Sequence, residues 1–210
     1  MKKYVFFLLL VIFTFIFLNH KSIKQDSLEK KKRENKIDLV YPSTDYKKLN
    51  TEINKYIDSK INDFENQLDD ITRTDYYLSG KYIVENYKYY ISYAIFTESF
   101  IGGAHPIHEL FTINYDTENN EIITISTLIK YNNKILDILS KETYNILSRN
   151  KLFKRDEILE ILKEGTKPTE NNFKNFLFTK DGLVIYFERY QIAPYYYGDY
   201  HVTIPYEKIL

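Results

Sequence analysis

The chain has 210 residues, long enough for one sizeable core or two small subdomains. It has no cysteine, which excludes disulfides, a cysteine nucleophile and cysteine-ligated zinc. Its zero net charge hides an asymmetry: residues 1–36 hold nine Lys/Arg against three Asp/Glu, while residues 37–210 hold twenty against twenty-six. A remainder with net charge −6 argues against a nucleic-acid partner, whose phosphates would repel it.

Met1-Lys2-Lys3 precedes the uncharged run Tyr4–Leu18, which as a helix extends about 22 Å at roughly 1.5 Å per residue. That is short for a hydrocarbon core of about 30 Å and near the upper length of a signal-peptide apolar region. Without a small-x-small cleavage site after it, the run reads as an uncleaved signal-anchor in residues 1–20, with a removed signal peptide as the alternative. Both place the rest of the chain outside the cytoplasmic membrane, anchored through residues 4–18 or secreted. Residues 21–36 carry almost no apolar side chain and read as a charged, solvated tether.

The exported unit divides into halves at 37–116 and 117–210. Ile37–Tyr41 alternates as a strand ended by Pro42, and Ser43-Thr-Asp45 offers a helix cap. Leu49, Ile53, Ile57, Ile61, Phe64 and Leu68 recur at spacings of three and four, predicting an amphipathic helix over 44–68. From 74 to 125 the pattern is that of strands, reversed at Asn86, at Gly102-Gly103 and at 116–120, so a meander of antiparallel strands is expected. Helical spacing returns over 131–148 and 156–162, the latter ended by Gly165 and Pro168. Phe176–Thr179 and Leu183–Phe187 then flank a tight turn at Asp181-Gly182, a strong hairpin signal, with Phe176, Phe178, Leu183, Ile185 and Phe187 facing one way. This hairpin is expected to complete the sheet, with Tyr200–Ile204 as a further short strand. The fold class expected is α+β: an antiparallel sheet covered by two or three helices, after an N-terminal anchor helix.

Candidate chemistry is sparse. His105-Pro-Ile-His108 invites a metal reading, but residues three apart on an extended chain face opposite sides, so the two imidazoles are expected to diverge, and His201 joins them only through tertiary structure. A metal-assisted envelope hydrolase built on these three histidines therefore stays as an alternative function, and a structural envelope protein as another. No nucleophile elbow, P-loop or dinucleotide fingerprint occurs. No catalytic residue, metal ligand or cofactor is assigned, and Glu98, beside the Gly-Gly turn, is the carboxylate to watch. The loop after the hairpin is more informative. Tyr190, Tyr195, Tyr196 and Tyr197, between the turn residues Pro194 and Gly198, gather amphipathic rings suited to stacking on a glycan or to a protein interface. With His105 they form the candidate ligand-binding set.

Four segments carry a resemblance: Gly102-Gly-Ala-His-Pro106, Asn114-Tyr-Asp116, Asn175–Phe187, and Tyr190-Gln-Ile-Ala-Pro-Tyr195 with Gly198. Residues 37–210 resemble a paired uncharacterised domain that forms the exported half of the lysozyme-responsive anti-sigma-V factor and the front portion of certain peptidoglycan deacetylases. The resemblance implies an α+β fold, a place outside the membrane, and binding to a cell-wall glycan or a basic lysozyme-like protein. The sequence lacks the sigma-binding region and the metal-binding deacetylase motif of those relatives. What is expected is a non-catalytic, membrane-anchored binding or sensing domain.

Overall fold

A computed structural model describes residues 28–34, 36–68 and 75–209, with side-chain surroundings given for 36–68 and 75–209. The apolar run 4–18, read as anchor or signal, lies outside the described residues. Among the described residues no helix is long and apolar enough to cross a membrane.

The first layer grows from one helix. Helix α1 (Lys47–Gln67) carries the expected stripe, and Leu49, Ile53, Ile57, Ile61 and Phe64 are all buried. Each such side chain contributes about 1.5–3 kcal/mol when fully removed from water. They pack against Leu39, Leu78, Ile91, Tyr93, Ile95, Ile113 and Tyr115 of a six-stranded sheet. That sheet runs in order from β1 (Leu28–Glu34) through β2 (Ile37–Ser43), β3 (Tyr77–Tyr87), β4 (Tyr90–Phe100) and β5 (Ile107–Asp116) to β6 (Glu121–Ile123).

Three features of this layer differ from the sequence reading. Part of the expected tether is a strand: Leu28–Glu34 pairs antiparallel with β2 along its whole length. An edge strand needs only its backbone for pairing, and lysine-rich sequence is common at sheet edges. The antiparallel meander expected over 74–125 is present as β3 to β6, but β2 joins it in parallel with β3, because α1 returns the chain across the sheet as a crossover. The polar residues before α1 do not cap it. Tyr46 holds the cap position without a side-chain bond. Instead the Thr44 hydroxyl accepts the Tyr46 N–H at 3.1 Å and the Asn50 carboxamide accepts the Thr44 N–H at 2.8 Å, fixing the loop that leads into the helix.

The second half begins where β6 gives way to α2 (Ile125–Tyr131). Thr124 and Thr127 form a reciprocal capping box there, which ends the expected strand early. The helix expected over 131–148 is found as one helix starting four residues late, because a separate helix, α2, precedes it. Asn132 ends α2, accepting the Lys134 N–H and donating to the Ile209 carbonyl, each at 3.0 Å, before α3 (Ile135–Leu147) starts. Helix α4 (Asp156–Gly165) follows. These helices enclose a second core with Phe153, Phe173, Phe176, Phe178, Ile185, Phe187 and Ile204.

The hairpin does not complete the large sheet. β7 (Phe176–Thr179), β8 (Gly182–Phe187) and β9 (Tyr200–Ile204) form their own antiparallel three-stranded sheet. Its β7 edge lies on the face of β4–β5 opposite α1, and side chains of those strands take the place of a strand partner. Thr112 accepts the Phe176 N–H at 3.2 Å, Ser92 accepts the Phe178 N–H at 3.1 Å, and Asn114 Nδ2 donates to the Phe176 carbonyl at 2.9 Å. These buried bonds explain why β7 is buried on both sides. Truncating Asn114 to alanine leaves the Phe176 carbonyl unpaired and is expected to cost about 1–3 kcal/mol, measured by chemical denaturation. The fold is α+β, with two antiparallel-rich sheets and four α-helices among the described residues.

Candidate functional site

The small sheet covers only one end of the large sheet's second face. Alternation along the strands puts Ser79 and Lys81 of β3, Phe96 and Glu98 of β4, and His108 and Leu110 of β5 on that face, beyond the covered part. Opposite them stand Tyr186 at the end of β8, Arg189 just past it, and His201 of β9. The space between is a cleft of about 770 Å³. Ligand sites for small molecules commonly measure about 300–1,000 Å³.

One end of the cleft holds a polar trio. Register places Glu98 directly across from His108, and His108 Nδ1 lies 3.3 Å from Glu98 Oε2. The Tyr77 hydroxyl donates to the other carboxylate oxygen. That bond, with burial and the carboxylate charge, pushes the Tyr77 phenol up to about 12, so it remains a donor. Burial, followed by the nearby Arg189 guanidinium, lowers the His108 imidazole below its ordinary value, and the Glu98 charge opposes the shift without cancelling it. A neutral imidazole facing an acceptor-only carboxylate carries its proton on Nδ1, leaving Nε2 as an acceptor.

The tyrosine loop forms the adjoining rim. Tyr195 opens a short 3₁₀ turn over Tyr195–Tyr197, with Pro194 before it and Gly198 after it at positive φ. Its ring stacks on His105 at 4.0 Å between centroids, lies 6.0 Å from the His108 ring, and has the Arg189 guanidinium carbon 4.5 Å from its centroid. The Tyr195 hydroxyl donates to the Pro106 carbonyl at 3.3 Å, and the Tyr190 hydroxyl meets His105 Nε2 at 3.3 Å. Arg189 is held in turn by Asp199 at 2.9 Å.

The structure thus divides the candidate set. Tyr190, Tyr195 and His105 come together; Tyr197 turns away to pack near Phe153 at 6.1 Å. Tyr190 and Tyr196 are 60% and 73% exposed. Gly102 and Gly103, both at positive φ, bend the chain just before His105, and the Asp181-Gly182 turn lies at the far end of β8. The expected divergence of His105 and His108 does not occur, because residues 101–105 bend before β5 begins, and both rings approach Tyr195. His201 lies on the opposite wall, 5.3 Å from Tyr186. The cleft therefore gathers two imidazoles and several carboxylates that sequence patterning scatters. Among the described residues, however, no three His, Asp or Glu side chains converge as a metal-holding group. Tyr77, Tyr186, Arg189 and Asp199 are not legible as site residues in the sequence; the one signal is the placement of Arg189 and Asp199 at the two ends of the tyrosine loop.

The region that supplies the second core and one wall of the cleft has known relatives. Residues 126–207 match DUF3298, a family of proteins of unknown function. The DUF3298 match runs from α2 to just beyond β9. Over 169 residues the chain is 29% identical to the peptidoglycan-N-acetylmuramic acid deacetylase PdaC of Bacillus subtilis (strain 168), covering 78% of this chain and 36% of that protein. The chain thus spans about a third of the length of the curated relative it matches. Two crystal structures of DUF3298 proteins share the fold. One, from Pseudomonas aeruginosa PAO1, superposes with a TM-score of 0.64 at 16% identity, over 88% of this chain and 91% of the other. The other, from Bacteroides fragilis NCTC 9343, gives 0.57 at 21% identity over 89% and 91%.

Proposed function

We propose that this chain is an extracytoplasmic, non-catalytic binding module for peptidoglycan, and that the cleft between the two sheets receives the ligand. The observation that carries this reading is the composition of the cleft walls. Phe96, Tyr186 and the His201 ring supply flat apolar surface, and polar groups converge beside them, as suits a hydroxyl-rich ligand with apolar faces. Binding is favoured over turnover because the ion pairs at the edge of the cleft are committed to each other. Arg189 pairs with Asp199, and Lys174 with Glu188. Such pairs hold geometry; they are poor proton carriers. The likeness to an enzyme named for peptidoglycan supports the choice of ligand, and a wall ligand requires a place outside the cytoplasmic membrane.

A second reading rests on the exposed rings of Tyr190 and Tyr196, which with the net charge of −6 over residues 37–210 suit a basic lysozyme-like protein. One experiment separates the two. The purified exported portion is passed over insoluble peptidoglycan and over immobilised lysozyme at moderate salt, and the peptidoglycan is then assayed for released acetate and reducing ends. Retention on peptidoglycan without release is expected. Tyr195→Ala, which removes the ring that holds His105 and Arg189 at the rim, is expected to weaken retention about tenfold while Tyr196→Ala leaves it intact. Retention on lysozyme alone, weakened by Tyr196→Ala, transfers the function to the second reading; release of product ends the non-catalytic one.

A further inference from the structure

Glu98 differs from the other paired carboxylates of the cleft. Asp199 and Glu188 each face an arginine or lysine, at 2.9 and 3.1 Å. The Glu98 oxygens face the Tyr77 phenol and the His108 imidazole, and among the described residues no lysine or arginine is ion-paired with it. Its side chain is 36% exposed, so it can be reached from the cleft. A carboxylate that accepts one hydrogen bond, lies beside a neutral imidazole and has no cation keeps its charge and its remaining lone pairs for an incoming group.

We infer that the Glu98–His108–Tyr77 end of the cleft seats a protonated primary amine, so that the ligand of this site carries an unacylated amino group. This rests on the peptidoglycan reading above and narrows it. The seat presents acceptors, the free lone pairs of Glu98, beside a neutral His108 ring that brings no competing charge. A hydroxyl offers such a seat one donor, and an acetamido group offers one N–H beside a carbonyl that the acceptors repel. An ammonium offers three donors and a charge opposite to that of Glu98. Arg189 already lies over Tyr195 and is neutralised by Asp199, so the second cation belongs at Glu98 and not on the tyrosine ring. Two components of peptidoglycan have this chemistry: an amino sugar lacking its N-acetyl group, and the side-chain amine of a diamino acid in a wall peptide.

Acid should release the amine. His108 faces Glu98 from β4, Arg189 and Asp199 from the loop joining β8 to β9, Tyr195 from the same loop, and His105 from the bend before β5. Once protonated, its ring places a positive charge beside Glu98, at the seat. Neutral imidazole at neutral pH, favoured by burial and by Arg189, keeps the seat open to a cation.

The test uses the exported portion at neutral pH, titrated by calorimetry and by ¹⁵N spectra of the histidine rings. The probes are a glucosamine tetramer, its fully N-acetylated counterpart, a lysine-containing tripeptide, and that peptide acetylated on the side-chain amine. At least one free amine is expected to bind tenfold or more tighter than its acetylated partner and to shift the His108 ring-nitrogen resonances; which of them does so identifies the source. Glu98→Gln is expected to abolish the preference without lowering the melting temperature. Equal binding of free and acetylated forms, or a preference that survives E98Q, overturns the inference. Retention on whole peptidoglycan without amine preference leaves the wider reading standing and removes this one. Failure to bind peptidoglycan or any probe removes both.

Discussion

Phe176→Ala is expected to lower stability by about 3–5 kcal/mol, the cost of emptying a large aromatic site in a core. The side chain is 1% exposed and meets Phe178 edge to face, with centroids 5.6 Å apart and planes at 86°. That contact adds about 0.5–1.5 kcal/mol beyond area alone. For a chain of this size each kcal/mol moves the melting temperature by about 2–4 °C, so a fall of roughly 10 °C is expected in thermal unfolding followed by circular dichroism. The backbone at the same residue joins the two layers, through Thr112 and Asn114. The loss should therefore appear in both layers at once, as a single shifted transition. A Phe176→Ala protein that melts within about a degree of the parent would mean that the small sheet does not pack as described. Tyr196→Ala, by contrast, removes a ring that is mostly in solvent and should stay within about 0.5 kcal/mol.

The same residue shows what can be read from sequence and what cannot. Alternation assigns Phe176, Phe178, Leu183, Ile185 and Phe187 to one face, and all five line the second core. It does not show that Leu177 and Val184 on the opposite face are buried as well. A strand with one solvated face and a strand buried on both read alike when apolar residues run together. Nor does pattern reveal that a strand edge is satisfied by a serine, a threonine and an asparagine from another sheet, since that is decided by tertiary placement. Helix α1 is legible for the opposite reason: one face is buried, the other solvated, and the period of 3.6 is visible in the stripe itself. Reversals are legible where side-chain chemistry makes them, as at Asp116, whose carboxylate accepts the N–H groups of Glu118 and Asn119. Asn86 marks the β3–β4 turn two residues early, because Lys88 takes the positive φ that glycine or asparagine usually supplies.

At the cleft the division is sharper. Tyrosine density marks the loop in the sequence, yet density does not say which ring points where. Tyr195 holds the rim together and Tyr197 packs against the second core, although they are two residues apart in one run. Glu98 and His108 are ten residues apart and become direct cross-strand neighbours only through the register of β4 and β5. Shifting that register by one residue would send one side chain to the helix-covered face. The amine seat is thus a property of strand pairing, and neither residue alone announces it.

Gly182→Ala separates stability from the site. Gly182 opens β8 at a φ of 144°, and a Cβ built there would lie 2.3 Å from the Ile204 carbonyl oxygen and 2.8 Å from its carbon. Both are backbone atoms of the adjoining strand and cannot swing aside as a flexible side chain could. Relief requires β9 to move off β8, and the strained backbone angle adds its own cost, so a loss of about 2–4 kcal/mol is expected. The pairing Leu183↔Ile204 lies beside the clash, whereas Phe187↔Tyr200, the pair next to the cleft, lies at the other end of the ladder. Damage should therefore fray the closed end first. Gly182→Ala is expected to melt some 5–15 °C early yet, well below its transition, to hold peptidoglycan and amine probes as the parent does. Loss of binding in a protein whose far-ultraviolet spectrum is unchanged would show that the two ends of the small sheet are coupled, and that the cleft depends on the whole ladder of β8 and β9.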